Sequence, residues 1–440
     1  MVNVKILFFC LIVLLSMNIQ DVVYCQDLFD AEEDSALIVI KYVLNGNSKT
    51  KDIVILREMK TRIGNYFDPD LIEEDRKRIQ NLHLFTRVDI TPDFKENGVI
   101  LNITVAERWY VFPYPILYRN ERDWKKISYG AGIIHQNFRG LNHNIVSSFW
   151  LGYNPGMDIY YSNPWFGGKQ QFNYSLKMYS YEIKNKSLHY DRFDEKHKGF
   201  LFSFGKRWDY HFYLTAALSY RNIYVPDKYR VLTYSRENVD HLPSVSLSFR
   251  YDKRDLYEYP KNGWLFDLYV GKTKYNSQID YYRYGCELRR YQPIYKDISL
   301  ALRTSVDLSS GKIPVYNHIY IGYLYRIRGE YNTRLEGDNR FLGNVELRFP
   351  IIKIRYINLE SNADMLGQYS NNLPLGVSGG IFFDTGAVWF RDENLEEKEF
   401  LSGFGLGLHF HVPYFDLLRL EYGMDTNYNP QIIFDVGVAY

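Results

Sequence analysis

The chain has 440 residues with 53 Lys or Arg and 52 Asp or Glu, so its formal net charge is only +1. This balance argues against a nucleic-acid partner, which would require a basic face. Aromatic residues make up 17% of the chain, yet its mean hydropathy is −0.34, which argues against one large core rich in Leu and Ala.

Residues 1–25 have the pattern of a secretory signal peptide. Lys5 supplies the charge, residues 6–15 form the apolar stretch, and a cleavage site fits near Cys25. The alternative of a membrane anchor is disfavoured, because ten apolar residues are too few to span a bilayer. A lipoprotein site at Cys25 is disfavoured because Val-Val-Tyr precedes it. The acidic residues 26–35 are expected to be a linker.

The residues after the signal peptide exclude further classes of protein. No run of 18 apolar residues follows the signal, which excludes a spanning helix but leaves a spanning barrel open. If Cys10 and Cys25 are removed with the signal, Cys286 remains alone, so no disulfide framework or thiol-based metal site is expected.

Residues 36–108 change their hydrophobic period several times, as a small α+β domain does. A β-branched strand ends in the Asn45-Gly46 turn, and residues 50–64 have helical spacing with Gly64 as the stop. A second helix begins with Asp68 as N-cap and Pro69 at its first position. The strands "LFTRVDITP" and "GVILNITVAE" complete a β-α-α-β-β order, with few contacts to the remainder expected.

The residues that make up this β-α-α-β-β order resemble those of a known domain. "DPDLIEEDRKRIQNLHLFTRVDI" and "ILNITVAER" resemble a POTRA domain, a periplasmic module of the BamA/TamA-like outer-membrane assembly family; an unrelated small α+β domain is the alternative. The resemblance implies binding of extended client segments by strand pairing at a sheet edge.

Residues 109–440 alternate with period two. In "HFYLTAALSY", Leu214 and Leu218 face one way while Tyr213 and Ser219 face the other. Polar residues hold one face of strand after strand, which predicts an all-β transmembrane barrel with a wet interior rather than a soluble sandwich. The length fits 16 antiparallel strands, although 12 or 14 also satisfy the arithmetic.

Several stretches of this region resemble landmarks of the same family, in the family's order. They are "HQNFRGLNHNI", "YYSNPWFGG", "YDKRDLYEYPKNGWLFDL", "GDNRFLGNVELRFPI", "GGIFFDTGAVW" and "IIFDVGVAY". Each is weak alone, whereas the ordered set is specific.

The resemblance also gives a role to Ile327, Arg328, Gly329 and Glu330. They stand where the family has Val-Arg-Gly-Phe/Tyr, at the tip of a long extracellular loop that folds into the lumen. A guanidinium inside a barrel needs a fixed acceptor, and the family's acceptor corresponds to Asp384.

Asp384 lies in a strand motif with Phe383 and Gly386, and alternation would point it inward. A solvated surface arginine is the alternative for Arg328. Glu330 departs from the family's aromatic, so either Tyr331 takes that place or the tip docks differently.

The sequence shows little sign of a catalytic, phosphate-binding or metal-binding site. Gly403, Gly405 and Gly407 follow a strand period rather than that of a phosphate-binding loop, and His409 and His411 share a face without a third ligand. We therefore expect no enzyme activity, no metal and no cofactor.

The barrel is expected to close at a weak seam. Its first strand, "YVFPYPILY", carries Pro113 and Pro115 on one side, and proline is tolerated in sheets mainly at edges. The last strand includes Gly437 and ends at Tyr440. In the alternatives, the prolines face the second strand or lie in a linker.

Two function classes remain. The first is an outer-membrane barrel that assembles, inserts or translocates client proteins received by the periplasmic POTRA domain; the second is a solute-conducting porin with an adaptor domain. The resemblance favours the first. It implies as partners the lipid bilayer, outer-membrane or secreted clients, and periplasmic or lipoprotein accessory proteins.

Overall fold

A computed structural model describes residues 37–120, 123–275, 277–322, 325–330, 333–358, 371–398, 400–413 and 417–437. The signal-peptide and linker predictions, residues 1–25 and 26–35, lie outside these ranges.

The N-terminal domain packs two helices against one face of a small sheet. Its elements are β1 (Val39–Asn45), α1 (Asp52–Leu56), α2 (Pro69–Gln80), β2 (Phe85–Lys95) and β3 (Gly98–Glu107). The sheet order is β1-β3-β2, with β1 parallel and β2 antiparallel to β3. Asp68 caps α2 by accepting the backbone N–H groups of Asp70 and Leu71, which agrees with the predicted helix start.

The first helix is much shorter than predicted. It ends at Leu56, and Ile63, which lies within the predicted helix of residues 50–64, is exposed. The buried carboxylate of Asp75 accepts the backbone N–H groups of Lys60 and Thr61 at 2.7 and 3.0 Å. These donors would otherwise continue the helical ladder, so a tertiary hydrogen bond ends the helix early.

The remaining chain forms the barrel. Within the described residues, sixteen strands make one antiparallel sheet, and neighbours follow chain order except that β14 pairs with β17. The strands are β4 (Val111–Arg119), β5 (Ile127–Phe138), β6 (His143–Gly152), β7 (Gly156–Phe166), β8 (Phe172–Lys184), β9 (Asp194–Trp208), β10 (Phe212–Tyr224), β11 (Val239–Asp252), β12 (Gly263–Tyr275), β13 (Ile279–Tyr295), β14 (Ile298–Gly311), β17 (Asn339–Ile357), β18 (Leu373–Trp389), β19 (Leu401–His411), β20 (Leu418–Asp425) and β21 (Pro430–Val436).

The long connection from β14 to β17, residues 312–338, carries its own small hairpin. Its strands are β15 (Ile319–Ile321) and β16 (Leu335–Gly337). We call this connection the lumen loop, because its middle part lies inside the barrel.

The two faces of the barrel strands differ as the alternation predicts. On β10 and β11, Leu214, Leu218 and Val245 are exposed on the outer face, and Leu218 lies directly opposite Val245. Tyr213 and Ser219 alternate with them and point inward. Within the described ranges, no helix has the length and apolar character needed to cross a membrane.

The N-terminal domain sits against the short-turn end of the barrel, with more contacts than the sequence predicts. In the turn between β5 and β6, the backbone carbonyl of Gly140 accepts the N–H of Lys51 at 2.9 Å. Gly140 has φ +71°, and a Cβ there would lie 2.2 Å from Lys49 O, so only glycine lets the two chain segments come this close. Asn81 bonds to Asp255 O and Tyr257 N in the turn between β11 and β12. The expectation of few contacts is therefore wrong, because successive turns offer backbone groups that the domain satisfies.

The sheet predicts heat-modifiable migration in electrophoresis. A ladder of sixteen strands satisfies the backbone without water and should resist detergent at room temperature. The unboiled protein should run faster than the boiled one, and it should fractionate with membranes. Recovery as a soluble protein with one gel mobility would contradict the barrel.

Candidate functional site

The lumen loop is anchored by Ile327, which is fully buried. Its side chain packs with Ile321, Leu342 and Val388 in one apolar cluster. Gly386 makes this possible, because a Cβ there would lie 2.6 Å from Leu342 Cδ2 and 3.2 Å from Ile327 Cδ1. The loop tip is therefore held against β17 and β18 by packing as well as by charge.

Arg328 holds three carboxylates at once. Its Nε and Nη2 donate to the two oxygens of Asp384 at 2.7 and 2.8 Å, and its backbone N–H donates to the same carboxylate at 3.1 Å. Nη1 donates to Glu346 at 2.5 Å and to Glu421 at 2.9 Å. The guanidinium also lies 3.8 Å from the Phe382 ring centroid. One side chain thus joins the loop to β17, β18 and β20.

Two further arginines complete this group. Arg348 Nε donates to the other oxygen of Glu346 at 2.6 Å, and Arg419 Nη1 donates to Glu421 at 2.9 Å. We call Arg328, Arg348, Arg419, Asp384, Glu346 and Glu421 the lumen cluster. All six are buried, and three positive charges face three negative ones. This balance matters because an unpaired buried charge is expensive.

Glycines let the loop backbone approach the strands. Gly329 has φ +98°, and a Cβ there would lie 2.3 Å from Met424 O. A Cβ on Gly403 would lie 1.9 Å from Arg328 O, and one on Gly423 would lie 3.0 Å from Gly329 N. Gly403 of β19 and Gly423 of β20 therefore leave room for the backbone of the loop tip to lie directly against these strands.

Glu330 turns away from the lumen cluster. Its N–H donates to Ile327 O at 3.0 Å, and its carboxylate accepts the Thr333 hydroxyl at 2.6 Å. It thus closes a tight turn after Gly329. Tyr331, the alternative occupant of the family's aromatic position, lies outside the described residues.

Phe383 and Asp384 point in opposite directions. Phe383 is exposed on the outer face and Asp384 is buried in the lumen.

One group in the described chain has the spacing of metal ligands, namely Glu346, His409 and Glu421. Arg328 Nη1 already bonds to both carboxylates, and Tyr259 O–H lies 3.0 Å from His409 Nδ1. The guanidinium supplies the cation that these oxygens need. His411 bonds to Ser378 Oγ at 2.9 Å, apart from this group.

On the first barrel strand, β4, the backbone nitrogens of Pro113 and Pro115 point away from the second barrel strand, β5. Gln136 N–H donates to Tyr110 O, and Asn120 N–H donates to Lys126 O, both at 2.8 Å. Hydrogen-bonded pairs alternate along an antiparallel ladder, and the register of β4 with β5 is unbroken. The even-numbered residues therefore bond to β5, and the lost N–H groups of Pro113 and Pro115 lie on the opposite side.

That opposite side is one end of the sheet, and β21 is the other. Within the described ranges, no ladder joins β4 to β21. Gly437 follows β21 with φ +92°, and its N–H donates to Leu417 O at 2.7 Å. Tyr440 lies outside the described residues.

Sequence reasoning assigned no role to Glu346, Arg348, Arg419 or Glu421. A signal was present, because "VELRF" and "RLEYG" each place an acid and an arginine two residues apart on the inward face of a strand. That these residues meet at Arg328 depends on how the strands are placed beside the loop in the folded barrel.

Comparison with known protein families identifies both parts of the chain. Residues 137–438 match the Omp85 superfamily domain, and residues 38–108 match the POTRA family described as a surface antigen variable number repeat. Outer membrane protein assembly factor BamA of Nitratidesulfovibrio vulgaris is 23% identical over 87% of this chain. The match covers 48% of that relative, so the chain spans about half its length.

Solved structures share the fold. BamA from Haemophilus ducreyi lacking POTRA domains 1–3 superposes with a TM-score of 0.51 and 15% identity, covering 92% of this chain and 84% of that one. CdiB from Escherichia coli gives a TM-score of 0.53 and 11% identity, covering 94% of this chain and 91% of that one.

The lumen cluster predicts energetic coupling between Arg328 and Asp384. Arg328→Ala and Asp384→Ala should each loosen the loop, and the double variant should cost at least about 1 kcal/mol less than their sum. The free energy of unfolding by urea in lipid vesicles measures this, and protease access to the lumen loop reports its release. Lys312→Ala, an exposed residue of the same loop, is the control. Strict additivity would contradict the pairing.

Proposed function

This chain belongs to the Omp85 superfamily, and we propose that it is an outer-membrane barrel that assembles, inserts or translocates client proteins. The barrel lies in the outer membrane of a Gram-negative type of envelope, with the POTRA domain in the periplasm. The BamA relative is named as an outer membrane protein assembly factor, and the role proposed here for this chain is likewise not that of an enzyme. Client segments reach the barrel through its POTRA domain.

The lumen cluster is the observation that carries this proposal. Arg328 ties the lumen loop to three strands across the inside of the barrel, while the POTRA domain covers the periplasmic turns. A solute-conducting porin needs an open passage, whereas here a fixed loop lies inside the barrel and a domain packs against its periplasmic turns. The porin alternative is therefore the weaker one.

The POTRA sheet offers a place for a client strand. β2 pairs with β3 on one side, and its other side has no ladder partner among the described residues. At β1, Val39 exchanges hydrogen bonds with the chain near Asn65, so that edge is partly covered. We expect an extended client segment to add to β2.

The seam is the proposed site of client entry into the bilayer. Pro113 and Pro115 remove two possible donors from the side of β4 that faces β21. Each missing hydrogen bond forgoes about 0.5–1.5 kcal/mol, and carbonyls left without a partner cost more in lipid than in water. This pair of strands should therefore separate before any other.

Depletion of the protein tests the proposed function directly. The outer-membrane and secreted proteomes of a depleted strain should lose a defined set of proteins before growth changes. A proteome that stays unchanged, together with a loss of small-solute uptake, would favour the porin. Copurification under mild detergent would identify the expected periplasmic or lipoprotein accessory partners.

Deletion of residues 36–108 should separate folding from function. The POTRA domain bonds to turns and single side chains of the barrel and adds no strand to its sheet, so the remaining barrel should stay heat-modifiable. It should no longer support assembly of the clients defined by depletion. Full client assembly after the deletion would contradict the role of the domain.

A disulfide across the seam should block activity. In a Cys286→Ser background, cysteine pairs between residues 111–117 and 430–436 should lock β4 to β21 on oxidation, and reduction should restore client assembly. Ala216→Cys with Leu247→Cys, directly opposite each other on β10 and β11, is the control and should have no effect. Activity that survives a complete lock would exclude opening at the seam.

A further inference from the structure

A cavity of about 520 Å³ lies between the POTRA domain and the periplasmic end of the barrel. Rings of Tyr and Trp, side-chain amides and three guanidinium groups line it. On the barrel side, Ile134, Val146 and Tyr160 point into the lumen, while Ile133 and Ile159 alternate with them and are exposed on the outer face. The cavity therefore opens toward the lumen and is separated from lipid by the barrel wall.

Arg57 is the unusual group in this cavity. It is 9% exposed, and its buried Nε has no hydrogen-bond partner in the structure. The nearest carboxylate oxygen belongs to Glu58, 3.8 Å away. Both oxygens of Glu58 instead accept from Arg207, at 3.0 and 3.1 Å. Burial lowers the pKa of Arg57 to about 10, which leaves it charged at neutral pH.

The charges around Trp165 do not balance. Arg57 and Arg207 both lie 4.8 Å from its ring centroid, and Glu58 supplies one negative charge between them. The third guanidinium, that of Arg78, is neutralised by Glu74 and Asp75. Arg57 is therefore the one guanidinium of the three that has no carboxylate within hydrogen-bond distance, and it lines the cavity.

We propose that this cavity binds a carboxylate group carried by an extended client segment, with Arg57 as its charged partner. The inference rests on the proposed function, since it names the chemistry of the segment that the POTRA domain delivers. A carboxylate matches the fork of a guanidinium and would give Arg57 the charged partner that it has not got within hydrogen-bond distance. The aromatic rings accommodate the neighbouring side chains of a peptide.

The position and charge of the cavity favour a peptide over a lipid headgroup or free phosphate as the anionic ligand. Lipid headgroups are on the far side of the barrel wall, so they do not reach Arg57. A phosphate dianion would bring more negative charge than the guanidinium of Arg57 alone neutralises. A peptide entering the lumen past the POTRA domain has direct access.

Peptide binding to the full-length protein in detergent tests this. The probe is a fluorescent peptide Ac-TYTDTYT-amide, and its twin has Asn in place of Asp. Fluorescence anisotropy should show that the wild-type protein binds the acidic peptide at least about tenfold more tightly than the twin. Arg57→Gln should abolish this preference, and Arg57→Lys should retain part of it.

Two matched variants guard against indirect effects. Lys41→Gln removes one exposed positive charge from β1 of the same domain, away from the cavity and from β2, and should leave the preference unchanged. Glu58→Gln removes the competing carboxylate and should strengthen binding of the acidic peptide. Unchanged heat-modifiability of each variant shows that the barrel is folded.

Three results would overturn the inference: equal binding of the two peptides, an unchanged preference in Arg57→Gln, or displacement by inorganic phosphate at peptide-equivalent concentration. Because the assay measures binding to purified protein, these results are independent of the depletion experiment. A client set lost on depletion would still support the proposed function if the peptides bind equally.

Discussion

The buried guanidinium of Arg328 is the interaction on which the arrangement of the barrel interior depends. Its donors are distributed over Asp384, Glu346 and Glu421, three carboxylates from three strands. Without it, two arginines would face three buried acids, and such an imbalance is costly in a low-dielectric interior. The loop tip is therefore part of the charge balance of the barrel wall, and its position follows from electrostatics as well as from packing around Ile327.

The other contacts of the molecule differ in kind from this one. Neighbouring barrel strands are joined by continuous ladders, which hold them with many equivalent bonds. The first strand has lost two donors at Pro113 and Pro115 on the side away from its ladder. The barrel thus combines one strongly fixed element inside with one edge strand that has lost two donors, which is the arrangement that the proposed opening at the seam requires.

The POTRA domain is attached through turns and single side chains. Lys51 bonds to the backbone of Gly140, Asn81 bonds to the turn before β12, and Glu58 pairs with Arg207. These bonds are local and partly exposed to water, so each can break without disturbing a ladder. The same junction leaves Arg57 without a full partner, which links the docking of the domain to the chemistry of the cavity beneath it.

The sequence by itself determined the features that depend on local order. Period-two alternation gave the barrel and its inward and outward faces, and Asp68 with Pro69 gave the start of α2. The Ile327-Arg328-Gly329 motif, through its resemblance to the family, pointed to Asp384.

Tertiary structure decided what depends on distant partners. The carboxylate of Asp75 ended α1, successive turns docked the POTRA domain, and the register of β4 with β5 oriented the two prolines. Glu346 and Glu421 stand 18 and 93 residues from Arg328 along the chain. Alternation indicated that they point inward, but only the side-by-side pairing of β17, β18, β19 and β20 brings them to one guanidinium, because strand pairing sets distances that residue spacing along the chain does not contain.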